Sequence, residues 1–255
     1  VHGSHQSAAA ASKIKSPPSL AALATQSLTD IILSGDFLPG DRLVEERLCE
    51  QLGISRPPLR EALKSLEYAG LIVQIPRRGA IVTPLTQHDV FEIVTMRRDL
   101  ERLAMQLALP NLNSDRLARC YSALEAMDEI VPTDNEAAMT RAGFEFHISV
   151  VGLAGHHRLE TAYRSMALQL ELCMAMNNRA RRRLEDLTGN VERHRTLLAV
   201  IERGDCAEIT DALDHHGSET FLIDVVDQLD GASDESAAWL ERLRAHAASD
   251  SGARS

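Results

Sequence analysis

The hydrophobic period of this chain changes partway along, and that change limits the order in which its elements can be built. From Leu20 to Leu33 apolar side chains recur at helical spacing, with Leu20, Leu23, Ala24, Leu28, Ile31 and Ile32 on one stripe. Gly35 stops the segment, and Leu38-Pro39-Gly40 makes a turn. A short helix is predicted over 44–52, with Leu48 and Leu52 turned inward. Gly53-Ile54-Ser55 breaks it, and Ser55 is a suitable N-cap for a third helix over 56–69. Pro57 and Pro58 fall in that helix's first turn, where a missing N–H does no harm, and Gly70 closes it. Only then does the period drop to two. The runs 71–75 and 80–83 read as strands joined by Pro76-Arg77-Arg78-Gly79, a β-hairpin with a basic turn.

After a hinge at 84–86 the pattern is helical throughout. Helices are predicted over 87–109, 114–129, 134–153, 157–180, 190–203 and 205–229, with Thr86, Asn113 and Thr133 as caps. A terminal amphipathic piece follows over 233–247. Six long helices with almost no strand signal imply an antiparallel bundle. The expected fold is therefore mainly α: a winged helix-turn-helix of three helices plus a hairpin wing, then an antiparallel α-helical bundle. The expected divisions are a disordered tail or cloning remnant over 1–18, the winged unit over 19–85, the bundle over 86–230, and a peripheral helix with a disordered C-terminus over 231–255.

No run approaches the roughly 18 consecutive apolar residues of a membrane span. Val1 to Lys13 lacks the apolar core of a signal peptide. Cys49, Cys120, Cys173 and Cys206 are scattered, which points to reduced thiols in a cytoplasm and not to a disulfide framework or a clustered zinc site. The net charge of −10 is uneven. From Ser12 to Leu85 nine Lys and Arg face eight Asp and Glu, a balance of +1, so the remainder carries −11. A locally basic tip on an acidic body can dock on DNA while resisting nonspecific binding.

On the third helix Arg56, Arg60 and Lys64 repeat every four residues and share a face, opposite Leu59, Leu63 and Leu66. That face is either a solvated surface or the polar front of a recognition helix. Arg77 and Arg78 have no core role at a hairpin tip and suit phosphates or a minor groove. The segments 37–43, 52–63 and 66–72, with Arg78-Gly79, resemble the GntR-family DNA-binding domain over Leu20 to Leu85. The resemblance implies that Arg56 and Arg60 are the main DNA-contacting arginines, that Ser55 touches phosphate, and that Gly79 with its arginine neighbours enters the minor groove. Two positions depart. Glu46 stands where fatty-acid-responsive members carry a DNA-binding arginine, so that contact is not carried over. Pro57 replaces a residue that is often a hydroxyl donor, which weakens one phosphate contact.

Of ten histidines, His147, His194 and His216 stand out, although none of their spacings is a local chelate. The region from Gln87 to about Leu229 resembles the FCD effector domain of the fatty-acid-regulator-like subfamily. In its metal-binding members three His and one Asp converge inside the bundle, and these three histidines match the His positions. The Asp position falls on Gly143. Glu145 cannot replace it, because two residues turn a helix by about 200°. Three neutral imidazoles can hold a divalent ion, zinc or nickel, with a fourth position open, and the uncompensated charge favours an anionic ligand there. The alternative is a metal-free polar pocket lined by the same residues. Arg97 and Glu101 resemble the family's Arg-x-x-x-Glu, whose arginine faces the effector, and a guanidinium suits bidentate carboxylate recognition. The bland alternative is an ion pair on the helix surface.

Together these resemblances imply a homodimeric repressor, not an enzyme, that binds double-stranded operator DNA in the cytoplasm. It would answer to a small anionic effector, an organic acid or a sugar acid. Two other readings stay open: a metallohydrolase built on the three histidines, which leaves the first eighty-five residues unexplained, and a regulator whose metal is purely structural.

Overall fold

The computed structural model describes residues 17–182, 185–216 and 223–252. Of the tail expected over 1–18, all but 17 and 18 lie outside the described residues. Helix α1 (Leu20–Leu33) begins where Ser19 accepts from the Ala22 amide, and it buries Ala24, Leu28 and Ile32. Strand β1 (Arg42–Leu43) leads into α2 (Glu45–Leu52), which ends at Gly53 with φ +63, a left-handed conformation that glycine adopts without penalty. Helix α3 (Arg56–Tyr68) buries Leu59, Leu63 and Leu66 against α1 and leaves its basic face outside.

Strands β2 (Ile72–Ile75) and β3 (Gly79–Val82) form the expected hairpin, with Val73 opposite Ile81. The sheet has one strand more than expected. β1 pairs antiparallel with β3, Leu43 opposite Ala80, giving the order β1-β3-β2. Two residues are too few to show a period of two, so this pairing leaves no signature in sequence.

The bundle begins with α4 (Gln87–Ala108), held at its start by a capping box between Thr86 and Asp89. It continues through α5 (Ser114–Ile130), α6 (Glu136–Gly152), α7 (His157–Arg164), α8 (Ala167–Arg181), α9 (Leu187–Arg203), α10 (Cys206–His216) and α11 (Ile223–Val226), and α12 (Asp234–Gly252) follows. Asn113 caps α5 as expected. Asn135, and not Thr133, caps α6, while the Thr133 hydroxyl donates back to the Ile130 carbonyl. Helices α4, α5, α8 and α9 all pack on α6. Its polar residues Thr140, His147 and Ser149 are therefore buried alongside Phe144, Phe146 and Val150. A helix buried on nearly every side is the centre of its bundle.

Further expectations are corrected. The single helix expected over 157–180 is two helices. The Met166 amide donates to the Tyr163 carbonyl and the Ser165 hydroxyl to that of Ala162, closing α7 early with neither Gly nor Pro at the break. Of the helix expected over 205–229, α10 and α11 are described, and 217–222 between them lie outside the described residues. The terminal helix is not peripheral. Trp239 and Leu240 are buried, the Trp239 ring lies 5.8 Å from that of Phe91, and the Ser236 hydroxyl donates to Gln87 Oε1 at 3.2 Å. A tryptophan offers too much apolar area to leave in water when α4 is within reach. The helix also continues to Gly252, through a stretch expected to be disordered. One apolar cluster runs from α1 and α3 through Val90 of α4 to Trp239, with Leu172 and Met176 of α8 joining it. The winged head is thus packed onto the bundle.

Candidate functional site

Helices α6, α9 and α10 each turn one histidine inward. His147, His194 and His216 are 2%, 3% and 6% exposed, and one ring nitrogen of each lies within 4.8 Å of the other two. The tautomer of His194 can be read from its neighbour. His194 Nδ1 lies 2.8 Å from the Asn190 carbonyl, which only accepts, so Nδ1 carries the proton and Nε2 a lone pair. The Nε2 atoms of His194 and His216 are both buried and make no hydrogen bond. Burial pushes the pKa of each of these two rings well down, and the neighbouring histidines push it further, so both are neutral donors. Buried neutral imidazole nitrogens this close together, with no protein partner, suit a divalent cation.

His147 is held differently. Its Nδ1 lies 3.1 Å from Glu101 Oε1, and Arg97 Nη2 lies over the ring, 2.9 Å from Nε2 and 3.3 Å from Nδ1. Glu101 Oε1 also accepts from Arg97 Nε at 3.0 Å and from the Tyr163 hydroxyl at 2.6 Å. Burial alone would raise the Glu101 pKa, but Arg97 and His147 beside it outweigh that and hold it below the ordinary carboxylate range. For Arg97 burial works downward, and Glu101 and Tyr163 reverse the sign, so its pKa is raised. The carboxylate fixes the His147 tautomer, as an acidic partner commonly does behind a ligating histidine.

Gly143 lies one turn before His147. A Cβ placed there would sit 3.7 Å from His194 Nε2 and 3.0 Å from the Met174 methyl group. Position 143 therefore faces the histidines directly, and Met174 fills part of the space a side chain would take. Arg97, Met174 and Asn177 wall two small cavities, one of about 20 Å³ among the histidines and one of about 50 Å³ beside Arg97.

On the winged head Ser55, Arg56, Arg60 and Lys64 of α3 are all exposed, as are Arg77, Arg78 and Gly79 on the wing. Ser55 occupies the N-cap position but makes no capping bond, which leaves its hydroxyl free. Arg60 Nε lies 3.1 Å from Glu45 Oε2 in a pair more than a third exposed on both sides, worth about 0–1 kcal/mol and easily exchanged for a phosphate or base.

The sequence profile of the gntR family of bacterial regulatory proteins matches residues 20–82, and that of the FCD domain matches residues 92–219. This chain belongs to the GntR family. Over 177 residues it is 28% identical to an uncharacterized HTH-type transcriptional regulator of Bacillus subtilis, YdhC, covering 69% of this chain and 78% of that one. Over 185 residues it is 29% identical to the "Probable D-xylose utilization operon transcriptional repressor" of Paenarthrobacter nicotinovorans, covering 72% and 80%. Among solved structures, McbR/YncC of Escherichia coli shares the fold with a TM-score of 0.53 at 23% identity, over 83% of this chain and 99% of that one. GntR-family proteins with an FCD domain are transcriptional regulators that bind operator DNA, and not enzymes.

In this GntR-family chain the histidines named from sequence are brought together. The Arg97–Glu101 pair does form within its helix, but inside the bundle, at 17% and 4% side-chain exposure, and not on the surface. Glu101 faces His147 and Tyr163, so its place is behind the histidine more than against a ligand. Glu145 lies outside, paired with Arg164. Sequence reading missed Tyr163, Met174 and Asn177. They lie on α7 and α8 with no local spacing to Arg97 or the histidines, and only packing brings them there. Among the described residues no helix is long and apolar enough to cross a membrane.

Proposed function

We propose that this chain is a homodimeric, cytoplasmic repressor whose affinity for operator DNA is set by a small carboxylate effector held in the FCD domain. The reading rests on one observation above all: two partnerless imidazole nitrogens, a third imidazole and the Arg97 guanidinium meet at one buried point. His147, His194 and His216 would hold a zinc or nickel ion, which supplies a Lewis-acidic positive charge for an anion. Arg97 supplies the planar, bidentate donor that carboxylates match. Size narrows the effector class. The cavity beside Arg97 is about 50 Å³, far below the roughly 300 Å³ of an ordinary ligand pocket, which favours a short organic acid over a six-carbon sugar acid.

On the DNA side Arg56 and Arg60 read base edges in the major groove, with Ser55 and Lys64 on phosphates. Arg77, Arg78 and Gly79 lie along the minor groove. For the dimer, Met96, Leu103 and Leu107 stay 41–48% exposed on α4 and, with half-buried Leu100, follow a 4-3-4 spacing. An apolar stripe of that spacing on a helix otherwise turned to the core fits a second copy of the same helix. The test combines metal analysis of the purified protein with operator binding in the presence and absence of chelator. Bound zinc or nickel, a chelator-dependent change in affinity, and a loss of about 1–3 kcal/mol in Arg56→Ala and in Arg60→Ala are expected. Unchanged operator binding by the double Arg56/Arg60 variant would overturn the recognition-helix assignment. Metal whose removal changes stability but not DNA affinity would favour a purely structural ion.

A further inference from the structure

Resting on the dimer reading above, we infer that α12 pins the joint between the winged head and the bundle, with Trp239 as a positioning residue for DNA binding. The pin fixes how each head leaves its bundle, and so lets two heads of a dimer meet two half-sites at once.

The joint itself is short. The head ends at Thr83, whose amide donates to the Leu71 carbonyl, and the bundle begins at Gln87, so Pro84, Leu85 and Thr86 alone link them along the chain. The turn before α12 lies directly on this link. The Gln87 amide, one of the first-turn donors that α4 cannot satisfy within itself, donates to the Asp230 carbonyl at 2.9 Å. Gly231 has φ +75, and a Cβ there would lie 2.8 Å from both Cβ and Cγ2 of Thr86, so only glycine lets the two backbones approach this closely. At the start of α12 the Ser233 hydroxyl lies 2.7 Å from His88 Nδ1, and the Ser236 hydroxyl donates to Gln87 Oε1. One turn further on, Trp239 covers Phe91 beside buried Leu240. Polar contacts thus set the register of α12 on α4, and the indole supplies the grip. Helix α12 lies beyond residues 20–82 and 92–219, the two stretches that the family profiles match.

The head also rests on α6 and α8 through α1, where Arg141 pairs with Asp30 and Arg179 reaches the Gly35 carbonyl. A body fastened at one place can still turn about it. A second fastening, at the joint, removes that freedom. The pinned arrangement leaves Arg56, Arg60 and Lys64 of α3 and Arg77 and Arg78 of the wing exposed, so α12 orients the DNA-facing surface and does not cover it. The grip is also the weak point of the fastening. Trp239 Nε1 is buried with no hydrogen-bond partner, and a donor in that state regains one in water when the helix lifts away.

Two full-length variants test this. Trp239→Ala/Leu240→Ala removes the apolar grip, and Gly231→Ala keeps it but forces the backbone off Thr86. Both are compared with the unaltered protein on two duplexes built from the half-site that this protein selects out of random DNA, one duplex carrying two half-sites and the other carrying one. Apparent affinity falls with the fraction of molecules in the competent arrangement, so each variant is expected to lose at least about fivefold on two half-sites and to stay within about twofold on one. Unchanged affinity for two half-sites would overturn the pin. An equal loss on both duplexes would mean damage to the head itself and would overturn it too. If the unaltered protein binds two half-sites no better than one, the dimer reading falls and the inference falls with it.

A measurement on the unaltered protein keeps the inference open to refutation should the variants not fold. Trp239 is the chain's one tryptophan, so its fluorescence reports the grip alone. If the pin favours binding to two half-sites, then binding to two half-sites favours the pin by the same factor. In moderate urea, below the concentration that unfolds the bundle, the two-half-site duplex is expected to protect Trp239 from acrylamide quenching and the single half-site is not. Equal quenching with the two duplexes would overturn the role given to Trp239.

Discussion

Arg179 on α8 donates from Nη1 to the main-chain carbonyl of Gly35, just past the C-terminal end of α1. Arg182 of the same helical end donates to the Ser34 carbonyl. The last carbonyls of a helix lack partners within it and carry its negative dipole end, so cations are well placed there. Helix α8 also carries Met174 and Asn177, which wall the cavities beside the histidines. The same helix thus touches both the cavities beside the histidines and the first helix of the winged head.

The double variant Arg179→Ala/Arg182→Ala is therefore expected to bind operator DNA without effector much as the unaltered protein does, while losing most of the response. Coupling between sites is typically 1–3 kcal/mol, and at least about half of it should disappear. The readout is the ratio of operator affinities in zinc acetate and in chelator. An unchanged ratio would show that the signal passes elsewhere, for instance through α6, where Arg141 pairs with Asp30 and Thr140 donates to the Leu33 carbonyl.

At the tip of the wing Arg77 has φ +67, a left-handed conformation that a side chain with a Cβ adopts at a cost of about 1–2 kcal/mol. The Arg78 amide donates to the Ile75 carbonyl, so Arg77 occupies the third position of a tight turn, where glycine or asparagine is favoured. An arginine held at such a place suggests a role outside folding. Arg77→Gly should fold at least as stably as the unaltered protein, relief of strain offsetting the extra freedom of the unfolded chain, whereas Arg77→Ala keeps the strain. Both should weaken DNA binding evenly across sequences and reduce the salt slope by about one. Thermal unfolding and salt-dependent binding separate the two effects. Full DNA affinity in Arg77→Gly would remove Arg77 from the interface.

Local chemistry made much of this fold legible. Gly53 and Gly70 stand where helices end, Thr86 and Asn113 where they begin, and the stripe on α3 divides as the sequence suggests. What stayed hidden depends on contacts between distant segments. The β1 pairing is two residues long. The break between α7 and α8 carries no breaking residue. The amphipathic pattern over 233–247 does not say that Trp239 packs on Phe91 of α4. The same holds for the site. His147, His194 and His216 sit on three helices, and no spacing unites them; the family resemblance singled them out. The Arg97–Glu101 pair was legible as neighbours one turn apart, whereas its burial, and the contact of Arg97 with His147, follow from how α4 lies on α6.

The exposed seam of α4 makes the dimer testable. Leu103→Lys together with Leu107→Lys places two charges where a second copy's apolar side chains would lie, and it leaves the core face with Ala104, Met105 and Ala108 untouched. Both residues are already exposed, so monomer stability should change by no more than about 0.5 kcal/mol. The mass from light scattering should fall from dimer to monomer at micromolar concentration, and affinity for a two-half-site operator should fall with it. A variant that stays dimeric would place the interface on another face.

Gly143 is the position where one added group should change the site most. A Cβ there would lie 3.7 Å from His194 Nε2, and the nearest obstacle, at 3.0 Å, is the methyl end of the flexible Met174 side chain. The backbone should accept the change, since glycine inside a helix is unfavourable by roughly 1 kcal/mol relative to alanine. Gly143→Asp would aim a carboxylate at the three imidazoles and supply the negative charge the site lacks. Three results are expected. In chelator the variant should be less stable than the unaltered protein, because an ionised carboxylate is buried without its counter-ion. In zinc the order should reverse, since a ligand bound only by the folded state stabilises it in proportion to the logarithm of its concentration over its Kd. Zinc binding should tighten, because the protein then provides the negative charge an outside anion would otherwise bring. His147→Ala, His194→Ala or His216→Ala in the same background should abolish the zinc effect, since each removes a ligand. Thermal unfolding with zinc and with chelator, alongside calorimetry, reads all of these. Equal zinc affinity in Gly143→Asp and the unaltered protein, or zinc-dependent stability that survives loss of any one of the histidines, would move the metal away from the point where α6, α9 and α10 meet.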